Sequence, residues 1–184
     1  MLQLEIKPSE KFDELAETFV TYPGKILSLE HSLISVSKWE AKWHKPFLSK
    51  EEKTTEQTID YIRCMSLTPI VDDTVLYGLT NDNIQTINDY IDDPMTATWF
   101  NDKAIGASKR ANSGEVVTSE LIYYWMIALQ IPMECQKWHL NRLLTLIKVC
   151  NIKNTPPKKM SKRALMNRNR AINEMRKAEM GTHG

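Results

Sequence analysis

The residue pair with the plainest chemical potential is Cys135 and His139, four positions apart and so stacked on one face of a helix, where a thiolate and an imidazole could share a metal ion. A metal centre needs more ligands converging on the same point. No second pair has ligand spacing, and His31, His44 and Cys64 would have to be recruited by tertiary folding. The pair therefore reads as a buried thiol beside a surface imidazole, and no metal or other cofactor is expected. Covalent catalysis has no better footing: the chain lacks Gly-x-Ser-x-Gly, His-Glu-x-x-His and a Gly-rich phosphate loop, and its 6 glycines are scattered. Asp72-Asp73 and Asp92-Asp93 stand beside helical segments, where carboxylates cap a helix or solvate a turn. No catalytic residue is assigned, and the chain is not read as an enzyme.

Recognition chemistry is better represented. Trp39, Trp43, Trp125 and Trp138 occur at helical spacing among aliphatic neighbours, the pattern of core packing. The C-terminal stretch carries Lys158, Lys159, Lys162, Arg163, Arg168 and Arg170, which could neutralise phosphates, but only Met and Leu are interleaved with them, not the aromatics that stack bases. Nucleic acid is therefore disfavoured as a partner. Four of the 9 methionines (Met160, Met166, Met175, Met180) lie in the same stretch, and unbranched thioethers suit surfaces that repack against varied apolar partners. Protein binding is the expectation.

The elements that must position these residues are mostly helices. Residues 2–6 alternate in polarity and 25–29 follow the Pro23-Gly24 turn signal, which predicts a short N-terminal β-hairpin. From Ser32 the period lengthens, with Leu33, Val36, Trp39 and Trp43 on one helical face closed by Pro46. Thr54-Thr55-Glu56-Gln57 has the Thr-x-x-Gln spacing of a capping box and opens a second helix that ends before Pro69. A short helix near 73–79 and one capped by Thr80 or Asn81 and stopped by Pro94 follow. Residues 101–115 read as a long polar surface loop. Thr118 or Ser119 caps an apolar helix over 119–129, expected to be central, and Pro132 starts a helix running to about Cys150. After the Pro156-Pro157 linker, 161–180 has the composition of a weakly amphipathic helix with Leu165, Ile172 and Met175 on its stripe. The predicted architecture is mainly α: a compact helical domain over 1–153 with an N-terminal β-hairpin, and a basic helical arm over 154–184.

With 184 residues, 42% hydrophobic and 26% charged, the chain can bury a core and is neither disordered nor collagenous. Three cysteines without short spacing point to reduced thiols in a cytosolic compartment. The first residues lack the basic and apolar regions of a signal peptide, so export by that route is not expected. The longest apolar run, Leu121–Leu129, is nine residues, against the ~20 that cross a bilayer, so no membrane association is expected. The net charge of +1 conceals a division. Residues 151–184 hold nine Lys and Arg against two acids, or +7, which leaves 15 bases against 21 acids, or −6, in 1–150.

Taken in order, SLEHSLISVSKWEAKW (28–43), KTTEQTIDYIRCMSL (53–67), PMTATW (94–99) and IPMECQKWHLNRLLTLIKVCNIKNTPPKKMSKRALMNRNRAIN (131–173) resemble a family of tail assembly chaperones of long-tailed (siphovirus-type) bacteriophages. The resemblance covers roughly 28–184 and carries no catalytic motif. It implies a mostly helical protein of the host cell cytoplasm that binds the tape measure protein and keeps it soluble while tail tube subunits polymerise around it. Such chaperones are often made in a short form and a frameshifted longer form, and this chain looks like the short one. Partners implied are the tape measure protein, further copies of the chain and the longer form. A holdase for amphipathic helices needs anchors at i, i+3 and i+4 spacing, so Trp39, Trp43, Leu165, Ile172 and Met175 are the partner-facing candidates, with core packing the competing role for the two tryptophans. Two rivals stand beside this reading: a structural virion protein of the tail, baseplate or head-tail junction, and a small nucleic-acid-binding regulator acting through 158–177.

Overall fold

The computed structural model describes residues 1–13, 17–69, 74–100, 116–155 and 162–181. The predicted 101–115 loop, the Pro156-Pro157 linker, Asp72-Asp73 and the basic residues Lys158 and Lys159 lie outside the described residues. The fold is mainly helical with antiparallel strands at the N-terminus. The chain divides into two compact units, Met1–Asn151 and Ile152–Gly184.

In the first unit β1 (Leu2–Ile6) pairs antiparallel with β4 (Lys25–Leu29), Leu2 opposite Leu29 and Ile6 opposite Lys25. Leu4, Ile6, Leu27 and Leu29 all point to the buried face, as period-2 alternation requires. The two predicted strands thus do pair, but the residues between them build a second ladder that the sequence reading missed. β2 (Ser9–Asp13) pairs with β3 (Thr18–Tyr22), and Phe12 packs edge-on against Phe19 with ring centroids 5.2 Å apart. Gly24 is required where the two ladders meet: a Cβ there would stand 2.6 Å from the Pro8 ring. The outer edge of β4 is covered, since Leu67 N–H donates to Ser28 O (2.8 Å) and Ser28 N–H to Thr68 Oγ1 (3.0 Å).

α1 (Leu33–Trp43) starts at Ser32, whose side chain accepts from Ser35 N–H, and ends where His44 turns left-handed at φ 52°. α2 (Thr55–Met65) has the predicted capping box between Thr54 and Gln57. After the one-turn α3 (Thr74–Tyr77), α4 (Asn81–Asp92) is capped by Thr80. Asn141 Nδ2 donates to Ile91 O and Asp93 O, both at 2.9 Å, and so takes carbonyls that the end of α4 leaves without helical partners.

Two expectations are corrected. α5 (Ser119–Ala128), capped by Thr118, is not a central helix: it buries Ser119, Ile122 and Met126 and leaves Tyr124, Ile127 and Ala128 at the surface. The helix expected from Pro132 to about Cys150 is broken. Met133–Lys137 forms a 3₁₀ segment, Trp138 is extended, and α6 (Leu140–Asn154) begins afresh. The cause is tertiary, because His139 forms a β-bridge with Ser32 and Leu140 N–H donates to His31 O at 2.7 Å. In the second unit, α7 (Lys162–Met180) is a 19-residue helix. No helix among the described residues is long and apolar enough to cross a membrane.

Candidate functional site

The break at Trp138-His139 takes Cys135 and His139 off the shared helix face on which their spacing would have stacked them. Cys135 is buried in the 3₁₀ segment. His139 is buried as well, not the surface imidazole expected: its Nε2–H donates to Tyr90 O (2.9 Å), and Nδ1 is buried without a hydrogen-bond partner. Its ring meets that of His31 edge-on, centroids 5.1 Å apart, and His31 Nδ1 hydrogen-bonds the Tyr61 hydroxyl. Burial, and then the neighbouring His139, lower the His31 pKa to about 3, while burial pushes the Tyr61 hydroxyl up. This imidazole pair joins the start of α1, the middle of α2, the end of α4 and the start of α6. It is a buried polar joint. Among the described residues no three His, Cys, Asp or Glu side chains are grouped to hold a metal ion.

The two tryptophans named as partner-facing are committed inward. Trp39 is 1% exposed, packs edge-on against Phe47 at 5.2 Å, and donates its indole N–H to Gln57 O (2.9 Å). It belongs to the core, which its helical spacing allowed and its role as a partner anchor does not. Trp43 is half-buried and donates to Asp60 Oδ2 at 2.9 Å. Burial alone would raise the Asp60 pKa, but hydrogen bonds from Lys42 and Trp43 and the charges of Lys42 and Arg63 hold it below the usual carboxylate range. Glu40, also buried, accepts from Phe47 N–H and Ser119 N–H, each at 2.7 Å, so one α1 carboxylate fixes both the turn after α1 and the first residue of α5. Asp93 has the turn role expected of it, its Oδ1 accepting from Met95 N–H at 2.7 Å.

Surfaces suited to apolar recognition occur in both units. In the first, Leu48, Val116, Val117, Trp125 and Leu144 line an open groove of about 700 Å³, together with Lys50 and Glu51. Beside it α5 presents Tyr124 and Ile127, each about two-thirds exposed (64% and 67%). These residues were missed in the sequence because nine consecutive apolar residues look like a helix buried all round; the polar-free run carries no sign of which side stays open. In the second unit α7 exposes Leu165, Met175, Met166 and Met180, with Ile172 half-exposed. Leu165, Ile172 and Met175 fall within one face at 3.6 residues per turn, as predicted. Lys162, Arg163, Arg168 and Arg170 are exposed on the same helix, and Arg170 pairs with Glu174 at 3.7 Å.

Compared with models of known protein families, with curated proteins and with solved structures, the chain matches none.

Proposed function

We propose that the chain is a phage tail assembly chaperone that acts in the host cytoplasm by non-covalent binding, holding amphipathic helices of the tape measure protein in solution until the tail tube encloses them. The observation that carries the reading is the exposed apolar stripe of α7. Met175 is 73% exposed on a helix whose other faces are basic or polar. A client helix with its own apolar stripe would bury Leu165, Ile172 and Met175, and methionine tolerates the varied packing that successive client turns demand. The α5 face with Tyr124 and Ile127 supplies a second apolar surface of the same kind. The ordered resemblance of segments 28–43, 53–67, 94–99 and 131–173 to the chaperone family supports the same reading.

The test is co-expression with the tape measure protein of the same phage. The chain should raise that protein's soluble fraction severalfold and remain with it through affinity purification, and Ile172→Glu/Met175→Glu should abolish both effects. A tape measure protein equally soluble with and without the chain overturns the proposal. Mass spectrometry of purified virions separates it from the structural rival, since a chaperone is absent from the particle and a structural protein is present at fixed stoichiometry.

A further inference from the structure

The apolar stripe of α7 is interrupted by charge at regular places. Leu165, Arg168, Ile172, Met175 and Glu179 stand three, four, three and four residues apart, the a/d pattern of a heptad seam, so two charges occupy core positions of a seam that is otherwise apolar. Ile172 is half-exposed and the other four are exposed. Ala171 and Ala178 flank the seam, and their small side chains let a second helix approach closely. A charge at a core position lowers the stability of a helix pair and in return fixes its register and its partner. The wrong partner leaves that charge buried without a counter-charge.

On the chaperone reading, on which this rests, we propose that the seam of α7 selects client helices by charge: the client packs antiparallel and sets a carboxylate against Arg168 and a lysine or arginine against Glu179. The sense follows from the start of α7, where Lys162 and Arg163 open the helix without an acid in the first turn, at the positive end of its dipole. An antiparallel client brings the negative end of its own dipole beside them. Read from its N-terminus, such a client carries a base, apolar residues four and seven positions later, an acid at eleven and a third apolar residue at fourteen, the mirror of the α7 spacing. Its two charges, like Arg168 and Glu179, are about 16.5 Å apart along the helix. A second copy of α7 fits less well. Packed parallel, it brings Arg168 onto Arg168 and Glu179 onto Glu179. Packed antiparallel, it pairs Arg168 with Glu179 and Ile172 with Met175, but sets Leu165 opposite the position of Thr182, beyond the end of α7 at Met180. Paired charges inside a seam contribute little net stability, so the third apolar layer that a client supplies decides between the two.

The probe is a hydrocarbon-stapled helical peptide with Lys, Leu, Leu, Glu and Leu at those five positions, its binding to the full chain read by fluorescence anisotropy. The chain should bind it, and should bind the peptide with Lys and Glu exchanged about tenfold more weakly or worse. Arg168→Glu/Glu179→Arg should reverse that preference while melting like the parent, because both side chains are exposed. Equal binding of the two peptides overturns the proposal, as does failure to bind either. Self-association of the full chain that Arg168→Glu abolishes also overturns it, since a second copy then fills the seam. Co-expression with the tape measure protein keeps this inference apart from the reading beneath it. Solubilisation that survives Arg168→Glu/Glu179→Arg refutes the charged seam and leaves the chaperone in place. A chain that discriminates between the peptides without solubilising that protein retains the seam and removes the chaperone reading.

Discussion

At the scale of single residues, three buried ionisable side chains decide how the first unit responds to change. Glu40 is the acceptor for two backbone N–H groups, on Phe47 and Ser119. Truncating it strands both donors away from water, so Glu40→Ala should cost about 2–4 kcal/mol in urea unfolding, and Glu40→Gln, which keeps one carbonyl acceptor, should cost less. His31 sets a pH dependence of known sign. Its imidazole takes up a proton only near pH 3 in the folded chain, against the ordinary value of 6.5 when unfolded. The unfolded state therefore binds more protons between those limits. Stability is full above pH 6.5 and falls as the pH drops, by up to roughly 1.4 kcal/mol per unit. The carboxylate of Asp60 acts in the same direction only lower down: with its pKa depressed, its contribution is present above the usual 3.8 and is lost below. Urea midpoints at pH 7, 6 and 5 thus isolate the histidine, and a His31→Leu variant should flatten the slope over that range. A slope unchanged in that variant would place the acid sensitivity elsewhere.

At the scale of elements, the caps are local and transferable. Thr54 accepts from Gln57 N–H and Gln57 returns the bond to Thr54 N–H, so Thr54→Ala should lower stability by about 1 kcal/mol without altering the fold, read from the thermal midpoint and an unchanged far-UV CD spectrum. The break between the 3₁₀ segment and α6 is different in kind. Nothing in Trp138-His139 disfavours a helix, and Pro132 is well suited to a first turn, yet the bridge from His139 to Ser32 and the bond from Leu140 N–H to His31 O hold the chain extended there. An isolated peptide covering 130–154 should therefore lack those bonds and show continuous helix through Trp138 in its NMR secondary shifts. A break that persisted in the peptide would make the interruption local. α5 shows the same limit from the other side: its apolar run is evident at a glance, but the side on which Tyr124 and Ile127 remain exposed depends on where α1 lies.

At the scale of the whole molecule, the division of charge is the organising fact. An acidic stretch of −6 over 1–150 and a basic one of +7 over 151–184 cancel in the net charge while giving each region a partner preference. The core of the first unit draws on β1, β4, α1 to α6 and the 3₁₀ segment. Deleting 156–184 should accordingly leave cooperative melting and most of the body's helical CD signal in place, and should change association far more than folding. Loss of cooperative melting in the truncated chain would show that the arm is part of the fold.

Local physics was written plainly in the sequence. Side-chain caps at Ser32, Thr54, Thr80 and Thr118, the period-2 alternation within 2–6, and the face shared by Leu165, Ile172 and Met175 all depend on residues near one another in the chain, where stereochemistry and hydrogen-bond reach are decisive. The mainly helical fold follows from those. What only the tertiary structure decided are matters between distant segments: that β1 pairs with β4, that Trp39 belongs to the core, that Cys135 and His139 leave a shared helix face, that two imidazoles meet face to edge, and that α5 keeps one side open. Each depends on which surface happens to lie opposite, and a hydrophobic residue or an imidazole carries the same composition whether it meets core, solvent or a second copy.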